Sequence, residues 1–375
     1  MSYLEFSILK GCRLLPRANY AMRCQRPLLL PPQPTLFFTP KTITKCPEKF
    51  HSSCNCSSTM SDETDPTKPT SQNALQNLQN YPVPLSPPLP PISKQIELSR
   101  AMSASSRSSL FSLSRSDLIY EDEWLVAVNK PQGVYCESVL ASVPEVICDS
   151  PAPVPETGAS LPELHLANRL DRDTSGLMII TKSHKVASKL VKAFTDHKVS
   201  KTYVAFCIGS APKWERITIR SGHGRSKFGA WRVYAASDVG RTLPGGSVVR
   251  DMETSFEVLS INGHRIIEKP SKLLKDEDNI IVVEDKAVID REGKKDEILI
   301  RAKPRSGRTH QIRLHCQYLG ISIRGDVKYE GAYEWKGITY DGHELHAESL
   351  SLEHPVTGLP LMLQAPLPIW AQQEL

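Results

Sequence analysis

The chain has 375 residues, 40% of them hydrophobic and 23% charged, which allows one large or two ordinary domains. No apolar run reaches the roughly 18–20 residues of a membrane span, and the nine Cys form no C-x-x-C pair; we therefore expect no membrane segment, disulfide scaffold or Cys-rich zinc site. The net charge of +5 comes from residues 1–116, with 13 Lys/Arg against 6 Asp/Glu, because residues 117–375 hold 33 against 35. The overall basic charge is therefore no argument for nucleic-acid binding by the body of the chain.

Residues 1–60 have the composition of a leader. They carry 8 Lys/Arg, 11 Ser/Thr and only two acids, Glu5 and Glu48. A basic, acid-poor and hydroxyl-rich stretch is typical of a transit peptide, which predicts import into a mitochondrion or chloroplast. The alternative is a disordered leader with a functional start at Met60, and a protein of the cytoplasm.

Residues 61–116 are rich in Pro and Ser and predict a linker. Fifteen of the 29 Pro precede residue 117, and such a stretch buries too little apolar surface to offset the entropy lost on ordering. We therefore expect a disordered N-terminal extension followed by one folded domain at residues 117–375, and we expect a monomer.

From residue 118 onward, short apolar strands alternate with a few helices. Ser183 is a predicted N-cap for a helix over residues 184–195, and a second helix is expected from about Thr309 to Leu319. Together these elements indicate an α+β fold, with a central mixed or antiparallel sheet flanked by helices. The predicted strands are residues 118–120, 124–128, 177–181, 201–208, 252–261, 264–268 and 298–303.

Three connections are also predicted. Asn262-Gly263 is a strong signal for a β-hairpin, and residues 144–162 are punctuated by Pro and predict a loop. Residues 276–297 hold nine acids against four bases, which favours an inserted hairpin on the surface.

Two loops concentrate charge beside predicted strands. Residues 168–176 read N-R-L-D-R-D-T-S-G, where Gly176 permits an otherwise strained φ and the loop can hold a carboxylate rigidly at a strand edge. Residues 305–313 read R-S-G-R-T-H-Q-I-R and place cations at a helix N-terminus, a ready site for phosphate oxygens. Taken alone, both loops are equally compatible with solvated ion pairs. His310 and His315 do not have the i, i+4 spacing of a metal pair, so no metal is expected.

Five ordered blocks of the chain resemble the RluA-type RNA pseudouridine synthases, and their order is similar to that of plant members. R-L-D-R-D-T-S-G at 169–176 is similar to the signature that contains the family's catalytic Asp. One departure is Asn168, which stands where the family usually has His. The other blocks are I-Y-E-D-E and V-N-K-P-Q-G within 119–133, K-T-Y at 201–203, G-R-T-H-Q-I-R-L-H at 307–315 followed by Gly325-Asp326 and Tyr329, and L-H-A with H-P-V-T-G within 345–358.

The resemblance implies the pseudouridine synthase fold and a reaction without a cofactor. Uridine in RNA becomes pseudouridine when the C1′–N1 bond breaks and C5 bonds to C1′, after the base is flipped out of its helix. Asp171 would be the catalytic carboxylate, Arg313 its ion-pair partner, and Tyr203 the ring that stacks on uracil and takes the C5 proton. Arg169 would fill the gap left by the flipped base. The remaining RNA- or base-binding residues implied are Ile312, Arg308, His310 and Lys130.

The partner implied is RNA, and ribosomal, transfer and organellar RNA all stay open. Three basic stretches, residues 182–201, 216–250 and 301–328, are the expected phosphate-contacting rim. A non-catalytic RNA-binding or assembly factor would keep this rim and could dispense with Asp171. A glycoside hydrolase would instead use Asp171 and Asp173, whose carboxylates must flank the scissile bond roughly 5–9 Å apart.

Overall fold

One mixed β-sheet organises the fold. The computed structural model describes residues 81–147, 163–266, 279–290 and 292–373, and fourteen strands of these residues form a single sheet, with two further strands in a separate ribbon. The strands are β1 Leu118–Glu121, β2 Leu125–Lys130, β3 His165–Leu166, β4 Ser175–Thr181, β5 Ser200–Gly209, β6 Arg216–Arg225, β7 Trp231–Tyr234, β8 Arg250–Ile261, β9 His264–Arg265, β10 Ile280–Val282, β11 Asp296–Pro304, β12 Ile321–Ile323, β13 Glu334–Trp335, β14 Ile338–Thr339, β15 Leu345–Glu353 and β16 Pro360–Gln364. The α-helices are α1 Ser93–Ser108, α2 Cys136–Ile147, α3 His184–Thr195, α4 Gln311–Tyr318 and α5 Ile369–Gln372.

The main path through the sheet is β1-β2-β4-β15-β5-β11-β8-β6-β10. Along this path, β4 with β15 and β6 with β10 are parallel, and the other neighbours are antiparallel. The mixed sheet with helices packed on it confirms the predicted α+β fold class.

Strand β15, the penultimate strand in the chain, lies between β4 and β5 and pairs with the beginnings of both. Ala347 of β15 pairs with Gly176 on one side and with Tyr203 on the other. A Cβ on Gly176 would lie 2.3 Å from the carbonyl oxygen of Ala347, and the φ of Gly176 is +107°. Glycine is therefore required at this crossing, which carries the loop before β4 close to the side chain of Tyr203.

The sheet buries apolar side chains on both faces, which explains the unbroken apolar runs of β2 and β4. Successive residues of a strand point to opposite faces, so one set packs against α2 and the other lies in the core that includes Leu190 of α3. The first set is Val126, Val128, Met178 and Ile180; the second is Leu125, Ala127, Leu177 and Ile179. A further core joins Leu314 and Cys316 of α4 to strands β5, β8 and β11.

Several local predictions are confirmed. Ser183 caps α3, and its hydroxyl accepts the N–H of Val186 at 3.4 Å. Asn262 and Gly263 both have positive φ, +50° and +74°, as the tight turn between β8 and β9 requires. The second predicted helix begins at Gln311 rather than near Thr309, because His310 adopts the left-handed conformation.

The prediction of a structureless linker over residues 61–116 is wrong for its second half. Residues 93–108 form α1, where the guanidinium of Arg100 donates to the carbonyls of Gly325, at 3.0 Å, and Tyr340. The segment before it is also tied down, since the N–H of Leu85 donates to the carbonyl of Val233 at 2.8 Å. These partners lie far along the chain, so the ordering comes from tertiary contacts that a Ser-rich composition does not reveal.

Two other predictions need correction. Pro144 lies inside α2, so the predicted loop over 144–162 begins later. The described part of the acidic stretch contains β10, which pairs in parallel with β6 and is not a hairpin arm. The leader 1–60 and residues 61–80, 148–162 and 267–278 lie outside the described residues. Within the described residues, no helix is long and apolar enough to span a membrane.

Candidate active site

A cleft of about 120 Å³ opens where the beginnings of β4 and β5 meet the end of β11. Its walls combine the two charged loops that the sequence singles out, although residues 177–304 lie between them in the chain. A cleft of this volume accommodates a small group and not a nucleic-acid helix. The predicted site residues that line it are Arg169, Asp171, Tyr203, Arg308, His310, Ile312 and Arg313.

The carboxylate of Asp171 lies at the cleft, where its side chain is 30% exposed. Nη1 of Arg313 donates to Oδ2 of Asp171 at 2.7 Å, and Oδ1 accepts no hydrogen bond from the described residues. Burial alone would raise the pKa of Asp171, but the charge and hydrogen bond of Arg313, together with two nearby histidines, outweigh burial and hold that pKa well below its usual range. Asp171 is therefore an anion with one oxygen fixed and the other free.

Arg313 is itself held from behind. Its Nε and Nη2 donate to the two carboxylate oxygens of Asp326 at 2.6 and 2.8 Å, which leaves Nη1 for Asp171. The side chains of Arg313 and Asp326 are 5% and 1% exposed, and the guanidinium carbon lies 5.0 Å from the ring centre of Tyr329. A planar guanidinium fixed by a bidentate pair has one orientation, so Asp326 sets the direction from which Arg313 meets Asp171.

Tyr203 lines the same cleft from β5. Its hydroxyl makes no hydrogen bond to any described residue, and its ring is half-buried. Burial and the charge of Asp171 raise the pKa of Tyr203 to about 12. At neutral pH the side chain is therefore a protonated phenol, with a flat ring available to a base in the cleft.

His310 adopts a conformation that is uncommon outside glycine, with φ +58° and ψ +24°. Nδ1 lies 2.7 Å from the hydroxyl of Tyr329, and Nε2 lies 3.8 Å from Oδ2 of Asp171. Burial lowers the pKa of His310 to about 3, so the ring is neutral at pH 7. A strained backbone beside the cleft is typical of functional sites, where the surrounding structure enforces it.

The comparisons with known proteins agree with this geometry. The family described as RNA pseudouridylate synthase matches residues 124–318, which span both cleft loops. The chain belongs to this family. RNA pseudouridine synthase 1 of Arabidopsis thaliana is 63% identical over 292 residues, covering 77% of this chain and 87% of that protein.

Two further relatives extend the comparison. RNA pseudouridine synthase 1 of Oryza sativa subsp. japonica is 62% identical over 295 residues, covering 78% of this chain and 84% of that protein. Ribosomal large subunit pseudouridine synthase C of Rickettsia typhi is 30% identical over 259 residues, covering 69% of this chain and 70% of that protein. The pseudouridine synthase family isomerises uridine in RNA to pseudouridine, so the chain is an isomerase that acts on RNA.

Three of the residues implied by the pseudouridine synthase resemblance line the cleft but differ in exposure and contacts: Arg169, Arg308 and Ile312. Arg169 is 72% exposed and forms an ion pair of 2.8 Å with Glu137. Arg308 is less mobile, because Nη2 and Nε donate to the carboxylate and carbonyl of Asp251 at 2.7 and 2.9 Å. Ile312 is 5% exposed. Their contacts with RNA stay predictions.

Lys130 does not contact the cleft, and its assignment as an RNA-binding residue is wrong for this structure. It is fully buried, and Nζ donates to the carbonyls of Pro131, Val134 and Arg172 at 2.9, 2.7 and 2.8 Å. Burial lowers the pKa of Lys130 to about 8. All three donors are used inside the protein, so Lys130 fixes the loop that carries Asp171 and has none left for a phosphate.

Asp173 does not take part in a carboxylate pair with Asp171. Its two oxygens accept Nε and Nη2 of Arg172 at 2.6 and 2.7 Å, and its side chain is 5% exposed. A carboxylate consumed in this way cannot act as the second catalytic group of a glycoside hydrolase, so the structure gives that alternative no support.

The loop itself is held by contacts that the sequence did not reveal. Oδ1 of Asn168 accepts the N–H of Ile179 at 2.8 Å. Asn168, which stands where the family usually has His, therefore ties the loop to β4. The backbone N–H of Thr174 donates to the carbonyl of Asp171 at 3.1 Å, but the side chains of Thr174 and Ser175 bond outside the turn. Their hydroxyls contact His343 at 2.7 Å and His346 at 3.0 Å.

Sequence reasoning also missed two residues that organise the second loop. Asp326 was visible only as part of a Gly-Asp pair, and nothing local indicates that it orients Arg313. Gln311 uses both ends of its amide. Oε1 accepts the hydroxyl of Ser306 and the N–H of Arg308, and Nε2 donates to the carbonyl of Glu253 and the hydroxyl of Thr254. The G-R-T-H-Q block indicated a functional loop, but it did not indicate these hydrogen bonds.

Proposed function

We propose that this cleft isomerises uridine in RNA with Asp171 as the catalytic carboxylate. The observation that carries the proposal is the geometry of Asp171, an anion with one oxygen bound to Arg313 and the other open to the cleft. Breaking the C1′–N1 bond builds positive charge on the sugar. The free oxygen can stabilise that charge, bond to C1′ or remove a neighbouring sugar proton, and each of these needs the carboxylate ionised.

Tyr203 is the proposed partner for the base. Its ring can stack on uracil, and its position in the same cleft as Asp171 places it within reach of the reacting nucleoside. A pKa of about 12 means that the phenol keeps its proton at neutral pH. Tyr203 therefore accepts the C5 proton only if its own hydroxyl proton moves to water in the open cleft as the C–H bond breaks.

The size of the cleft supports base flipping. A volume of about 120 Å³ admits a base and not a helix, so the target nucleoside must leave its stack before it reacts. Arg169 is the exposed guanidinium on the cleft wall, and its flat group can fill the vacated position in the RNA. The ion pair with Glu137 is solvent-exposed and costs little to break.

The RNA and the compartment are further parts of the proposal. The name of the bacterial relative, a ribosomal large subunit synthase, makes ribosomal RNA the first substrate to test; transfer RNA and other organellar transcripts are the alternatives. The composition of residues 1–60 supports a mitochondrial or chloroplast location, with the cytoplasm as the alternative. We propose that the protein acts as a monomer.

Tritium release from C5-labelled RNA tests the activity directly. The full chain, incubated with ribosomal, transfer and organellar RNA, is expected to release tritium from at least one of them. Binding without release from any of these RNAs would instead support a non-catalytic RNA-binding factor. Pseudouridine mapping in a knockout then identifies the target uridine. A fluorescent fusion of residues 1–60 tests the compartment. Sedimentation of the full chain tests whether it is a monomer.

A further inference from the structure

The β6–β7 hairpin presents an exposed aromatic ring at its tip. Phe228 is 86% exposed, one of the most exposed large apolar side chains among the described residues. The turn is well defined: the N–H of Gly229 donates to the carbonyl of Ser226, and the N–H of Ser226 donates to the carbonyl of Ala230, both at 2.8 Å. Gly229 has a φ of +79°, as a short hairpin loop with a left-handed residue requires. The ring is therefore held outward by a built turn.

Two basic side chains lie over aromatic rings of this hairpin, one of them over Phe228. Nζ of Lys227 lies 5.0 Å from the ring centre of Phe228, and the guanidinium of Arg225 lies 5.3 Å from that of Trp231. Within the described residues, neither Arg225 nor Lys227 forms an ion pair with a carboxylate, in contrast to Arg220, which pairs with Glu253 at 2.8 Å. The hairpin tip thus combines an aromatic face with uncompensated positive charge, the combination that binds single-stranded nucleic acid.

The base of the hairpin is fastened to the cleft. His223 of β6 stacks on Trp231 of β7, with ring centres 4.7 Å apart and an interplanar angle of 15°. Nε2 of His223 donates to the carbonyl of Thr309 at 3.0 Å, and Thr309 directly precedes His310. The hairpin therefore extends from the loop that lines the cleft and continues its positive rim.

We propose that the β6–β7 hairpin is a second RNA-binding element, in which Phe228 stacks on an unpaired base of the substrate and Arg225 and Lys227 contact the neighbouring phosphates. The inference rests on the proposed function only in that the RNA is the substrate of the cleft. Phe228 is five positions along the chain from His223, a reach of at most about 17 Å of extended chain. At about 3.4 Å per stacked nucleotide, this reach corresponds to about five nucleotides of RNA.

Fluorescence anisotropy with the full chain tests the proposal. The probes are a labelled 20-nucleotide single-stranded RNA and a 20-base-pair RNA duplex, which has no unpaired base. Phe228→Ala is expected to weaken binding of the single strand about 10- to 100-fold and to change binding of the duplex less than twofold. Phe228→Trp keeps a stacking ring and is expected to bind the single strand like the wild type.

Leu110→Ala is the matched control. Leu110 is also 86% exposed, but it precedes Leu113, which packs against β2 near the other end of the strand order, so its removal leaves both affinities unchanged. Replacing Arg225 and Lys227 together by Gln is expected to reduce the slope of log affinity against log salt by about 1.4, the value for two phosphates on a single strand.

The outcomes separate this inference from the proposed function. Equal binding by Phe228→Ala and Leu110→Ala, equal losses on both probes, or no binding of the single strand by the wild type would each overturn the hairpin proposal. Tritium release, measured in parallel, reports on the cleft alone. If Phe228 governs binding but no RNA releases tritium, the hairpin proposal stands and the proposed function fails.

Discussion

Asp171 and Asp173 leave the same loop and each meets a guanidinium, yet their surroundings differ. Arg172 binds both oxygens of Asp173, and that pair is nearly buried, with side chains 12% and 5% exposed. Arg313 binds one oxygen of Asp171, whose side chain is 30% exposed at the cleft. The first arrangement satisfies a charge and fixes the loop. The second keeps a charge ionised while leaving an oxygen for another molecule, as the proposed catalytic role of Asp171 requires.

The largest effect is expected from Asp171→Asn. The amide keeps the shape of the side chain but removes the negative charge that the transition state needs, so turnover should fall at least about 10³-fold. Binding of RNA should change only a few fold, because the lost interaction acts mainly on the transition state. Single-turnover tritium release and anisotropy measure the two quantities. If Asp171→Asn kept more than about a tenth of the wild-type turnover, Asp171 would not be the catalytic carboxylate.

Tyr203→Phe is expected to lower turnover about 10²-fold or more, with the Michaelis constant within a few fold, because the ring still stacks but can no longer pass a proton. The rate constants from steady-state tritium release separate these effects. Tyr203→Leu is the companion variant, which should also raise the Michaelis constant. A Phe variant as fast as the wild type would leave stacking as the only role of Tyr203.

Asp173→Ala should lower stability and largely preserve turnover, whereas Asp171→Asn should mainly lower turnover. Removing Asp173 takes the bidentate partner from a nearly buried Arg172 and leaves it only the longer ion pair with Glu97, at 3.7 Å. The free energy of unfolding should therefore fall by about 3 kcal/mol. Folded molecules should keep turnover within about tenfold of the wild type, because Asp173 is outside the cleft. Urea unfolding and tritium release measure the two properties. A fully stable variant without activity would mean that the two carboxylates share one function.

The pH profile tests the ionised state of Asp171. Because its pKa lies below the ordinary value of about 3.9, this carboxylate should cause no loss of kcat/KM between pH 5 and 8. Its contribution to folding stability is likewise present above the unfolded pKa and lost as the pH falls through the lower folded pKa. In Arg313→Gln, the positive charge that opposes the effect of burial on the pKa of Asp171 is gone. The fall of kcat/KM on the acidic side of the pH profile should therefore move to higher pH, by about 1–3 units.

Arg313→Lys is the control for the pH profile. It retains a cation, so its kcat/KM should fall at nearly the same acidic pH as that of the wild type. Circular dichroism at each pH establishes that the variants are folded, because Asp326 loses its bidentate partner in both. A fall of kcat/KM at the same acidic pH in the Gln and Lys variants would mean that Arg313 does not set the ionisation of Asp171.

The smallest effect is expected from Arg169→Ala. The exposed ion pair with Glu137 contributes little to stability, so the melting temperature should be unchanged. If Arg169 fills the position of the flipped base, kcat/KM should fall about tenfold on a base-paired target and less on an unpaired one. Glu137→Ala removes the same ion pair without the guanidinium and should leave both rates unchanged. Equal rates for Arg169→Ala and the wild type on both targets would exclude this role.

Local patterns in the sequence determined those parts of the molecule whose physics is local. The Ser183 cap, the period of α3 and the Asn262-Gly263 turn each depend on a few neighbouring residues, so they could be predicted without a structure. The charged loops were recognisable as well, and the resemblance of their residues to a known family indicated Asp171 and Arg313 as partners. The structure places those two groups 2.7 Å apart.

Only the tertiary structure decided which charges face the cleft and which are buried. Lys130 and Asp173 are as polar in the sequence as Arg169 and Asp171, but the fold buries both. Lys130 donates to the carbonyl of Arg172, 42 positions along the chain, and Asp173 is buried against the guanidinium of its neighbour Arg172. The same holds for α1, whose Arg100 bonds residues more than 200 positions away, and for Asp326 behind Arg313. A short sequence pattern encodes what a segment can form, whereas burial and long-range pairing depend on the whole sheet, because each removes from water groups supplied by distant parts of the chain.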